Sequence, residues 1–141
     1  MSENLVTTMI QQHRGLQADV EIILSLYNGN DHVKAEQILA SLNKFKEDLV
    51  EHLKLENEIF YVELLDKMKK AKQDTTKTEL FIAEMKDIEK VVYAFLEKFS
   101  TTDSINNNFL EFKSEFNGIK DALVLRIEAE ESGVYSYWGL F

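Results

Sequence analysis

Apolar residues recur every three or four positions along nearly the whole chain, the spacing that gathers them on one face of an α-helix. The first stripe is Leu5, Met9, Leu16, Val20, Ile23 and Tyr27, and Asn28-Gly29-Asn30 ends it. Asp31 is placed to cap a second helix, whose stripe is Ile38, Leu42, Phe45, Leu49, Phe60, Leu64 and Met68. The polar run from Lys69 to Thr78 reads as a loop, with Thr76 or Thr78 as the next cap. A third stripe runs Phe81, Met85, Ile88, Val92, Phe95, Phe99; Ser100 to Ser104 makes a second loop rich in cap residues. The fourth is Phe109, Phe112, Phe116, Ile119, Leu123, Ile127, Val134. Four stripes with short connections predict an all-α, up-down-up-down four-helix bundle forming one domain over residues 1–141. The second and fourth helices look alike. Laid over each other, Leu49-Val50 falls on Leu123-Val124, Glu56 on Glu130 and Tyr61 on Tyr135. Two bundle helices share such patterns without being a repeat array.

Polar residues interrupt the stripes at particular places. His13 lies four after Met9 and three before Leu16, so it faces inward. Leu49 is followed in phase by His52 and Glu56, and Leu123 by Arg126 and Glu130. Charges are costly to bury unless paired or bound to a metal, so five such residues on three helices ask for a common explanation. His52 and Glu56 stand one turn apart, the spacing at which a helix offers an imidazole and a carboxylate to one ion. One strain is visible. Counted from the first turn, His13 and His52 are out of step by roughly 9 Å at the helical rise.

Composition narrows the function. The chain has no cysteine, which removes disulfides, thiolate metal sites and a cysteine nucleophile, and no proline, which permits long helices. A net charge of −9 disfavours a nucleic-acid partner. No run approaches a signal peptide or membrane span, so a cytoplasmic protein without a membrane partner is expected. There is no E-x-x-H, H-E-x-x-H, P-loop, dinucleotide-binding glycine pattern or G-x-S-x-G. An enzyme is therefore the weakest class: a general acid–base pair of Glu56 and Glu130 has no visible substrate cleft.

The ordered set resembles the hemerythrin-like family, also called the HHE cation-binding domain. It comprises His13 in QQHRGL, His52-x-x-x-Glu56 running into Glu58-Ile59-Phe60-Tyr61, and Glu130-Glu131-Ser132-Gly133-Val134-Tyr135. The likeness covers nearly the whole chain. It implies a four-helix bundle whose members usually hold two irons with five histidines and two carboxylates. By that resemblance His13, His52, Glu56 and Glu130 match ligands. The third-helix histidine is replaced at Met85, beside Glu84, and the fourth-helix histidine by Arg126. In the family one iron takes its histidines from the first two helices and the other from the last two, so the losses here fall on the second iron alone. The resemblance therefore implies a reduced site with one divalent ion, iron before manganese or zinc. Arg126 then carries its fixed charge where a second ion would sit and bonds Glu56 and Glu130. Implied roles are sensing of oxygen, nitric oxide or redox state, or iron handling. A metal-free interaction module built on the Glu56–Arg126–Glu130 cluster is the rival, and there the cofactor is none.

The remaining residues have simpler readings. Met85 reads as core filler, Glu84 as a surface carboxylate able to swing toward a metal, and Glu128 and Glu131 as a solvated acidic face. His32 reads as a surface residue, and Tyr61, Tyr135 and Tyr137 as packing residues whose hydroxyls would matter near a metal. The basic run Lys67 to Lys72 suits a helix C-terminus. The apolar end, Tyr135 to Phe141, is expected to fold back on the bundle, with a homodimer contact as the alternative.

Overall fold

The computed structural model describes residues 2–27 and 35–140; Asp31 and His32 lie outside them. Helix α1 is Ser2–Tyr27 and α2 is Ala35–Leu55. A π-helical turn, Glu56–Phe60, carries α2 without a break into α3, Tyr61–Lys70. Then come α4 (Thr76–Lys98), the short α5 (Thr102–Asn107) and α6 (Phe109–Ala129). A second π turn, Glu130–Val134, leads into α7, Tyr135–Tyr137. No strand occurs among the described residues. The result is an all-α, up-down-up-down bundle of four rods, two of them composite.

Local chemistry sets the ends. α3 stops where Lys72 takes a left-handed conformation, with φ 59°. The first loop is shorter than the polar run suggests. Asp74 Oδ1 accepts from the Thr76 backbone N–H at 2.9 Å and its hydroxyl at 2.7 Å, which starts the helix at Thr76. Thr78, the other expected cap, is buried inside α4. At the second loop Thr101 forms a reciprocal cap with Ser104. This nucleates α5, which the stripe pattern leaves as loop; its Ile105 is fully buried.

Side-chain bridges give the directions. Lys44 of α2 reaches Asp19 of α1 at 3.0 Å, so those rods run antiparallel with His13 level with His52. The expected offset between the histidines is absent. Within the described helices His13 lies 14 residues before Tyr27 and His52 lies 17 after Ala35, closer than a count from Asp31 implies. Lys98 of α4 meets Glu111 and Glu115 of α6, each at 2.6 Å, and at the far end Arg126 meets Met85.

The stripes bury as two apolar clusters. The larger gathers Leu16, Ile23, Leu42, Phe45, Phe95 and Phe112 with others, its Phe95, Phe99, Phe112 and Phe116 rings 5.2–5.9 Å apart. Each such buried side chain contributes about 1.5–3 kcal/mol. The smaller cluster holds Met9, Phe60, Leu64, Ile82, Val134 and Trp138. Of the apolar C-terminus, Tyr135 and Trp138 fold back on the bundle while Tyr137 and Leu140 are exposed and Phe141 lies outside the described residues; Trp138 stacks on Phe60 at 5.1 Å, and Lys67 lies over its ring. The inward polar residues belong to neither cluster. They form a layer between the two.

Candidate metal centre

The two π turns explain how the layer is built. In an α-helix, residues five apart point about 140° away from each other. A π turn adds one residue to the turn, so position five comes back over position zero. In this chain the Tyr61 N–H bonds the Glu56 carbonyl, and the Tyr135 N–H bonds the Glu130 carbonyl. Each turn begins on a glutamate and delivers a tyrosine to the same inward face. The likeness between the second and fourth helices is thus a pair of matching π turns on opposite walls of one site.

The structure brings His13, His52, Glu56 and Glu130 together. All four are buried, and one nitrogen or oxygen from each lies within 4.8 Å of the others. The two histidines face each other through Nε2 atoms 3.1 Å apart. Their outer nitrogens are fixed. His13 Nδ1 donates to Glu131 Oε2 at 2.8 Å, and His52 Nδ1 donates to Gln12 Oε1 at 2.7 Å. With the protons on Nδ1, both rings turn bare lone pairs inward. Two lone pairs at that distance need a cation or an extra proton between them. Burial lowers the His13 pKa, more than the hydrogen bond to Glu131 raises it, so a proton on the inner nitrogen of that ring is disfavoured.

The carboxylates divide their roles. Burial pushes Glu56 up, but the Glu130 and His52 hydrogen bonds and the Arg126 charge outweigh it and hold Glu56 below the usual range. Glu130 is pushed well up, first by burial and then by the charge on Glu56. The two carboxylates therefore differ, Glu56 ionising the more readily and Glu130 the less. Arg126 donates to Glu56 through Nη2, to Glu130 Oε1 through Nε at 3.1 Å, and to the Met85 carbonyl at 3.4 Å. The attraction of these carboxylates outweighs burial and raises its own pKa. Tyr135 donates to Glu56 Oε2 at 2.8 Å and Tyr61 to Glu130 Oε2 at 3.2 Å.

Several expectations change here. Met85 is buried and meets Arg126 only through its backbone carbonyl in this network. Glu84 is exposed and takes no place in the layer. Glu89, farther along α4, supplies the carboxylate instead, 3.3 Å from Arg126 Nη2 and 3.1 Å from the Asn57 amide nitrogen. Glu89 also lines a groove of about 430 Å³ with Asn57, Glu58 and Tyr93. Glu131 is no free acidic face, since it holds both His13 and Arg14. Tyr61 and Tyr135 are hydrogen-bonded members of the layer rather than packing residues alone.

Imidazole and carboxylate donors with hydrogen-bonded outer nitrogens fit a borderline divalent ion such as iron, manganese or zinc. A helical bundle with such a donor set at its centre defines a class of cation-binding domain. The family model of the hemerythrin HHE cation-binding domain matches residues 4–138, and the chain belongs to that family. No curated relative and no solved structure matches it. No helix among the described residues is long and apolar enough to cross a membrane.

Proposed function

We propose that this hemerythrin-family domain binds a single non-haem iron through His13, His52, Glu56 and Glu130, and serves as a sensor or iron-handling protein rather than a di-iron oxygen carrier. One observation carries the reading: two buried Nε2 lone pairs meet at 3.1 Å while acceptors hold both outer nitrogens. Two imidazoles in that pose suit a shared cation. When bound, the ion supplies redox chemistry and open coordination positions for a diatomic ligand such as oxygen or nitric oxide. The chain's own residues do the rest. Gln12 and Glu131 aim the histidines, Glu56 supplies negative charge, and Glu130 would complete the donor set. Arg126 fills the space between the carboxylates and α4 with a fixed positive charge, which works against a second ion there.

The rival reading also has an observation behind it. The Glu56–Arg126–Glu130 cluster satisfies its own hydrogen bonds and, with Glu130 protonated, is neutral without a metal. A metal-free interaction module would use that state. A homodimer through the C-terminus would have to use the exposed Tyr137 and Leu140, because Trp138 is committed to the bundle.

Anaerobic titration of chelator-treated protein with ferrous iron separates the readings. Saturation near one equivalent, lost in His52→Ala, supports the single-ion site. Saturation at two refutes the role given to Arg126. No binding refutes the site and favours the metal-free module.

A further inference from the structure

Taking the single-ion reading as given, we propose that Tyr135 is a fifth ligand of the bound ion. Its phenol oxygen lies 2.8 Å from Glu56 Oε2, 3.2 Å from His13 Nε2 and 3.5 Å from Glu130 Oε2. It therefore touches three of the four residues of the donor set. Two donors each about 2.1 Å from one ion and at right angles to each other stand about 3.0 Å apart. The spacing between His13 Nε2 and His52 Nε2 is 3.1 Å, and that between His52 Nε2 and Glu56 Oε2 is 3.4 Å. The Tyr135 oxygen repeats these spacings, so it occupies a vertex of the same coordination sphere rather than a place outside it.

The surroundings hold it there. Tyr135 is buried, its ring stacks on His13 at 5.4 Å and 15°, and Phe60 packs edge-on against it at 5.0 Å. The second π turn sets the height of the ring, because its N–H is bonded to the Glu130 carbonyl. Tyr61, its counterpart on the other wall, reaches only Glu130, at 3.2 Å, among the four. The two tyrosines are thus unequal: Tyr135 is a ligand and Tyr61 a hydrogen-bond donor to one. Ligation breaks the Tyr135 O–H bond and forms a metal–oxygen bond. The proton leaves to solvent, and no electron moves.

A phenolate on ferric iron gives a visible charge-transfer band that imidazole and carboxylate ligands do not. The test loads the protein with ferrous iron without oxygen, oxidises it with ferricyanide, and reads the visible spectrum beside the iron content. Wild type is expected to show the band. Tyr135→Phe is expected to lose it while retaining iron and helical content, and Tyr61→Phe to keep it. Iron bound without a band in wild type, or a band surviving in Tyr135→Phe, would overturn the assignment while leaving the single-ion site intact. Failure of wild type to bind iron would overturn both.

Discussion

Replacing Arg126 with methionine removes the fixed positive charge that bonds both buried carboxylates. Glu56 and Arg126 are 0% and 4% exposed, so little water can take over the lost contacts. Breaking a buried pair by removing one partner costs about 3–5 kcal/mol, because an uncompensated charge is left behind. A chain of this length holds in total roughly 7–20 kcal/mol. At roughly 3–4 °C per kcal/mol, the melting temperature of chelator-treated Arg126→Met should fall by about 10–20 °C. The loss should depend on pH. In wild type Glu56 is held low and its stabilisation is lost only as pH falls through that low value. In the variant the Arg126 charge is gone while the Glu130 and His52 hydrogen bonds remain, so burial is opposed less, Glu56 lies higher than in wild type, and the deficit should grow with pH, being larger at pH 8 than at pH 5. Metal should narrow the gap. In a Tyr135→Phe background, which takes the phenol proton out of the count, a divalent ion with two carboxylates and neutral histidines gives zero net charge without Arg126 but +1 beside it. Zinc at a hundredfold excess over its dissociation constant adds about 2.7 kcal/mol to a protein that binds it only when folded. Urea melts with chelator and with zinc, at both pH values, read this directly. A chelator-treated variant within about 1 kcal/mol of wild type, or one that gains no more from zinc than wild type does, would refute the reasoning.

Other consequences can be checked singly. Gln12→Ala frees the outer nitrogen of His52, and metal affinity by calorimetry should drop roughly 10–100-fold with helical content unchanged. Asp19 is buried beside Lys44 and Asp48, and burial, then Asp48, pushes its carboxyl up to about 6. The folded chain therefore holds this proton where the unfolded chain has lost it, so stability should decline as pH rises from about 4 to 6. Asp19→Asn should flatten that stretch of the urea-melt profile and gain about 1 kcal/mol at pH 7.5, the solvated Lys44 limiting the effect.

Much of the bundle was legible because burial and helical period act together. His13, His52, Glu56, Arg126 and Glu130 occupy positions in phase with buried Met9, Leu16, Leu49, Phe60 and Leu123, and a charged residue in that phase stands out. The π turns were not legible. An extra residue within a turn shifts the phase of everything after it, and no residue type announces it. Tyr61 and Tyr135 therefore read as ordinary packing residues, although the matching Glu-to-Tyr spacing in two helices was the available signal. Gln12, Glu89 and Glu131 were missed for another reason. They flank the inward phase, half-buried, and reach the layer only because their side chains bend toward it. Glu84 was the opposite case: a carboxylate next to an inward Met85 in sequence points outward in a helix, where neighbours diverge by about 100°.

The central claim is that one ion, and only one, sits among His13, His52, Glu56 and Glu130. Crystals of the iron-loaded protein, measured on both sides of the iron absorption edge, locate that ion without reference to any ligand assignment. The account predicts a single anomalous peak between the two Nε2 atoms and the two carboxylates, with the Arg126 guanidinium still bonded to Glu56. Two peaks, with Arg126 displaced, would contradict the single-ion site. No peak in this layer from a protein that carries iron would contradict the site itself.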